Sequence, residues 1–125
     1  MKSKLLLALL TITLAGAAAA QAKTEDAIKY RQSGYGFMAW NMARIKANVE
    51  GTYNKDEVVK AANAIQAIAN SGMGALYLPG TDKGKGWEET RVKPELFTEK
   101  EKVGKAGMAF NKEANEMAKV AAAGD

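Results

Sequence analysis

YRQSGYGFMAWNMARIKANVEG, residues 30–51, carries large apolar residues at Tyr35, Met38, Met42, Ile45 and Val49. Their spacing of 3, 4, 3, 4 draws one stripe down an α-helix, and Ile28 extends it upstream. The stretch predicts a first helix over 25–50, with Gly51 at the position where a left-handed residue would stop it. A phenol and two thioethers are an odd mixture for an ordinary core stripe, so this face is expected to meet a partner or ligand.

Upstream, Lys2 and Lys4 run into an apolar stretch from Leu5 to Leu14, and small residues follow to Ala20-Gln21-Ala22. That order reads as a secretory signal peptide over 1–22, cut before Lys23, and the short apolar core argues against a transmembrane helix. The expected location is the periplasm, with no membrane attachment after cleavage. The mature domain is then 23–125, and losing the two lysines lowers the net charge from +4 to +2. The basic isoelectric point near 9.3 is therefore a poor argument for a nucleic-acid partner. The chain has no cysteine and no histidine, which excludes disulfides, Cys/His zinc sites, Cys-His dyads and Ser-His-Asp triads. No catalytic residues are assigned, and the chain is not expected to be an enzyme.

Downstream, Val58, Ala61, Ile65, Ile68 and Gly72 repeat the 3, 4, 3, 4 spacing and predict a second helix over 55–70, with Asn54 or Asp56 as its cap. The short link makes the two helices antiparallel neighbours. SGMGALYLPGTDKGKGWEETRVKPELF, residues 71–97, then brings glycines and both prolines together with Tyr77, Trp87 and Phe97. Those apolar anchors mark a long crossover that wraps over a bundle end rather than a flexible linker. Its segment Gly80 to Gly86 lacks phosphate-loop spacing. Thr98 and Glu101 predict a capping box ahead of a third helix with the stripe Val103, Ala106, Phe110, Ala114, Met117 and Ala121, closed by Gly124. The fold class is an all-α, antiparallel four-helix bundle to which these residues supply three helices and the crossover. A fourth helix would cover about five apolar side chains worth roughly 8 to 15 kcal/mol in all, comparable with the stability of a domain. The bundle is therefore expected to be missing a helix from this sequence, or to borrow one from a partner.

EDAIKYRQSGYGFMAWNMARI (25–45), LYLPGTD (76–82) and ETRVKPELF (89–97) resemble the first helix and crossover of the class II c-type cytochromes, the cytochromes c′. The resemblance extends over nearly all of 24–125. It implies haem c, held by two thioethers and an axial histidine of a Cys-x-x-Cys-His helix, and no metal ligand of that kind is present in these residues. It implies a five-coordinate iron serving electron transfer, small-gas binding such as that of nitric oxide, or both, with periplasmic redox partners and often a homodimer joined through first helices.

By the same resemblance, Arg31 and Gln32 reach the haem propionates, Tyr35 faces the open distal side, Met38 lines the pocket, and Glu89 and Thr90 touch the haem edge. Read without it, Arg31 and Gln32 belong to a solvated face, and Tyr35 is a core tyrosine. Met38 with Met42 would suit Cu(I), but core packing is the preferred reading. The alternative function is a haemless periplasmic binding or interaction module, metal-handling or chaperone-like, that uses its uncovered stripe as a docking face. A bundle holding haem without covalent links is disfavoured by the lack of histidine.

Overall fold

The computed structural model describes residues 2–124, with side chains from residue 23 onward. Three long helices, α1 (Lys2–Glu50), α2 (Lys55–Ala69) and α4 (Lys100–Ala123), form an all-α architecture. A 3-10 turn (Met73–Leu76) and the one-turn helix α3 (Glu95–Thr98) punctuate the crossover between α2 and α4. The expected first helix is contained in α1, which continues upstream to Lys2 instead of starting at residue 25. The side chains of 1–22, where the signal peptide is expected, lie outside the described residues.

Local chemistry accounts for most helix ends. Asn54 caps α2 by accepting the Glu57 N–H at 3.2 Å, and Asp56 and Glu57 place negative charge in the first turn. The Asn54 N–H in turn donates to Asn48 Oδ1 at 2.7 Å, which closes the link between α1 and α2. Gly51 is not in the left-handed region, contrary to expectation. Glycine is needed there because a Cβ would come 2.9 Å from the Ala47 carbonyl oxygen. Gly124 does close α4, at φ 85°, with its N–H directed to Ala121 and Val120. The expected capping box fails: Thr98 is the last residue of α3, its hydroxyl donates to the Glu95 carbonyl, and Glu99 precedes α4 without a side-chain cap. Pro94, with helical φ and ψ, starts a turn that takes Thr98 out of capping position.

α2 runs between α1 and α4, and the order in which its residues meet theirs in the core makes it antiparallel to both. One core layer joins Val58 and Ala62 to Ala118 and Ala121, and the next joins Met38, Ile65 and Ala114. Alanines on facing helices let the backbones approach closely. α2 stops near the level of Met38, while α1 upstream of that level and the first half of α4 continue past it. The crossover fills the α1 side of this open end.

The buried stripe of α1 is rotated from the expected one. Ile28 and Met38 are buried as foreseen, but Tyr35, Met42 and Val49 are exposed, and Arg31, Asn41 and Asn48 are buried in their place. Each polar residue is satisfied: Asn41 Nδ2 donates to the Phe37 carbonyl and its Oδ1 accepts from Arg44, while Asn48 Nδ2 donates to the Arg44 carbonyl and to Glu57. The expected stripe of α4 also holds over only half its length. Ala114 and Ala121 are buried, but Val103 and Phe110 are exposed.

Candidate functional site

Arg31 organises one side of the open end. Its side chain is 2 % exposed, yet its hydrogen-bond partners are neutral oxygens of the crossover: Leu76 O at 3.3 Å, Thr81 Oγ1 at 2.7 Å, Thr81 O, and Thr90 Oγ1 at 3.0 Å. The guanidinium also lies 4.8 Å from the Tyr77 ring centroid. Burial lowers its pKa, an effect opposed by Tyr77 and then Tyr35, but an arginine keeps its proton under such perturbation. A cation taken out of water must be surrounded by acceptors, so its place is secure only while the crossover is docked.

The next residue of α1, Gln32, clasps the next part of the crossover. Its Nε2 donates to Glu88 O at 3.0 Å, and its Oε1 accepts from Trp87 N at 2.8 Å. The Trp87 indole N–H donates to Ser33 Oγ at 2.8 Å, and Lys29 Nζ sits 5.4 Å from the Trp87 ring. Trp87 therefore anchors through its polar edge and its face while remaining 66 % exposed, not by the apolar sealing expected of it. Buried Gly86 makes this approach possible, since a Cβ would stand 2.8 Å from Lys29 N and 2.9 Å from Ile28 Cγ2.

Between this wall and the first half of α4 lies an open cavity of roughly 1150 Å3, somewhat above the ~300–1,000 Å3 usual for ligand and cofactor sites. Ile68, Met73, Leu96, Phe97, Val103 and Phe110 supply its apolar surface. Gly104 and Gly107 face it from α4, and a Cβ on either would meet no atom within 4 Å. Tyr35 borders it from α1 with its hydroxyl 3.0 Å from that of Tyr77, which borders it from the crossover.

Of the six residues singled out from the sequence, Tyr35 alone lines the cavity. Met38 packs beneath it in the core layer with Ile65 and Ala114. Arg31, Gln32 and Thr90 come together in the crossover clamp, beside Glu89, which pairs across an isolated bridge with Lys85. Tyr77 and Thr81 were missed as site residues because their partner, Arg31, is about fifty positions away, and no local spacing reports that distance. Among the described residues there is no cluster of His, Cys, Asp and Glu suited to a metal ion, and no helix is long and apolar enough to cross a membrane.

Residues 26–125 match the family model described as Cytochrome C'. A cytochrome c′ of Rhodocyclus tenuis is 62 % identical over 105 residues, covering 83 % of this chain and 79 % of that protein. One of Allochromatium vinosum is 56 % identical over 118 residues, covering 94 % and 77 %. Among solved structures, a cytochrome c′ with an unusual ligand-controlled dimer dissociation superposes with a TM-score of 0.78 at 59 % identity, covering 82 % of this chain and 78 % of the other. The crystal structure of cytochrome c′ from Thermochromatium tepidum superposes with a TM-score of 0.76 at 58 % identity, covering 81 % and 78 %.

Proposed function

The chain belongs to the cytochrome c′ family, and from that premise we propose that it is a periplasmic haem c protein that transfers electrons or binds small gases such as nitric oxide. The supporting observation is the cavity between the crossover and α4. Its lining is largely apolar, and the glycines at 104 and 107 set the α4 wall back so that a flat macrocycle can lie against it. The residues present therefore suit haem in shape and polarity.

When bound, haem supplies an iron that can change oxidation state and take a small ligand. The chain's own contribution is enclosure. Ile68, Met73, Leu96 and Phe97 keep water from the group on one side, Val103 and Phe110 do so on the other, and Tyr35 restricts entry from the α1 side. Arg31, Gln32 and Thr90 serve the cofactor site indirectly by holding the crossover wall against α1, Glu89 braces that wall through its bridge to Lys85, and Met38 supports the floor. The 125 residues contain no cysteine or histidine. These residues therefore supply neither thioether links nor an imidazole ligand to the group.

On this reading 1–22 is a signal peptide, and the protein is a carrier or gas binder rather than an enzyme. A homodimer would use the exposed face of α1, where Phe37 and Trp40 stack at 5.7 Å and Arg44 lies over Trp40. Family membership does not favour the haemless binding module. Expression of the full reading frame with a c-type maturation system tests the proposal: covalent haem on a denaturing gel and a Soret band are expected. A folded, exported product that stays colourless would overturn it.

A further inference from the structure

Tyr35 is the aromatic side chain of α1 that borders the cavity, and it is half exposed, so packing alone leaves its ring free to turn. What holds it is the 3.0 Å hydrogen bond to the Tyr77 hydroxyl. Tyr77 is itself fixed by its backbone and by a cation that is in turn tied down. Its N–H donates to Gly74 O at 3.2 Å, its ring lies beneath the Arg31 guanidinium, and Arg31 is tied to Leu76, Thr81 and Thr90. The order of constraint therefore runs from the buried cation through Tyr77 to Tyr35.

We propose that Tyr77 is the positioning residue for the Tyr35 phenol, so that entry of a small neutral ligand on the α1 side of the cavity is governed by the crossover through this hydroxyl pair. A ligand that needs the space of the Tyr35 ring must first part it from Tyr77. A hydrogen bond of ordinary net strength makes that a factor of about 2 to 12 in affinity. The acidity of the pair gives a second handle. Burial first, then the hydrogen bond and charge repulsion from Tyr35, raise the Tyr77 pKa above the usual phenol range, against a smaller opposing effect of Arg31.

The ligand part of the inference rests on the haem reading; the pairing of the two phenols does not. The test is a double-mutant cycle with Tyr35→Phe and Tyr77→Phe, which remove the hydroxyls and leave both rings in place. In the haem-loaded protein, Tyr77→Phe is expected to strengthen nitric oxide binding by about 2- to 12-fold, with little further gain when Tyr35→Phe is added. The haem-free chain is titrated in parallel by tyrosinate absorbance. Its latest-ionising phenol should vanish in Tyr77→Phe and ionise earlier in Tyr35→Phe. Unchanged titration in Tyr35→Phe would overturn the pairing whether or not haem binds. Altered titration with strictly additive ligand affinities would overturn the gating role, whereas failure to take up haem would count against the functional reading alone.

Discussion

The two walls of the cavity are built by opposite means. On the α1 side, Arg31, Gln32 and Ser33 hold the crossover through hydrogen bonds to Leu76, Thr81, Trp87, Glu88 and Thr90. On the far side, the first half of α4 has no buried residue, and its ion pairs, Lys102 with Glu99 and Lys105 with Glu101, are local to the helix and exposed. Exposed pairs of that kind contribute little. A wall that must keep its shape is thus locked by directional bonds, while a wall that awaits a cofactor keeps its apolar side uncovered. The first has its stability built in; the second gains stability only by burying Val103 and Phe110.

Substitutions should separate the walls sharply. Arg31→Met leaves buried oxygens of the crossover without their donor and is expected to cost about 3 kcal/mol or more in urea unfolding. Hydrogen exchange over 84–90 should rise with it, and a loss below about 1 kcal/mol would show that the clamp does not hold this wall. Gly86→Ala should cost about 1–3 kcal/mol, because the close contacts at that position are with the Lys29 backbone and an Ile28 branch rather than a movable side-chain end.

A pH series sharpens the same contrast. Tyr77 has a raised pKa in the fold, while an unfolded phenol titrates near 10.0. The stabilising contribution of the neutral hydroxyl is therefore complete below about pH 10 and is lost as the pH climbs from there toward the folded value. Thermal stability of the native chain should fall more steeply above pH 10 than that of Tyr77→Phe, and parallel curves would remove Tyr77 from the clamp. The smallest effect belongs to the other wall: Met108→Lys, on the exposed first half of α4, should change stability by no more than about 0.5 kcal/mol. A larger loss would mean that this half of α4 is packed, and the contrast between the walls would collapse.

Much of the site was out of reach of periodicity because it is polar. A stripe counted on apolar residues passes over Arg31, Asn41 and Asn48 and chooses Tyr35, Met42 and Val49, which the fold leaves exposed. The family resemblance brought Arg31, Gln32, Glu89 and Thr90 to attention, and these are residues of the clamp region. It matched Tyr77 and Thr81 within 76–82 without giving either a role, because their importance depends on what approaches them. Thr98 failed as a cap for a local reason, since the turn begun by Pro94 competes for the same residue.

The amino-acid order alone determined the three long helices, a cap at Asn54 or Asp56, the stop at Gly124 and the glycine-rich crossover, because each depends on residues within a turn or two of one another. Tertiary structure alone decided which edge of α1 is buried and where the cavity opens. Burial of a guanidinium or an amide is tolerable only when acceptors and donors arrive from distant parts of the chain. The cavity exists because α2 ends where α1 and α4 continue, a relation among three helices that no one stretch of sequence contains.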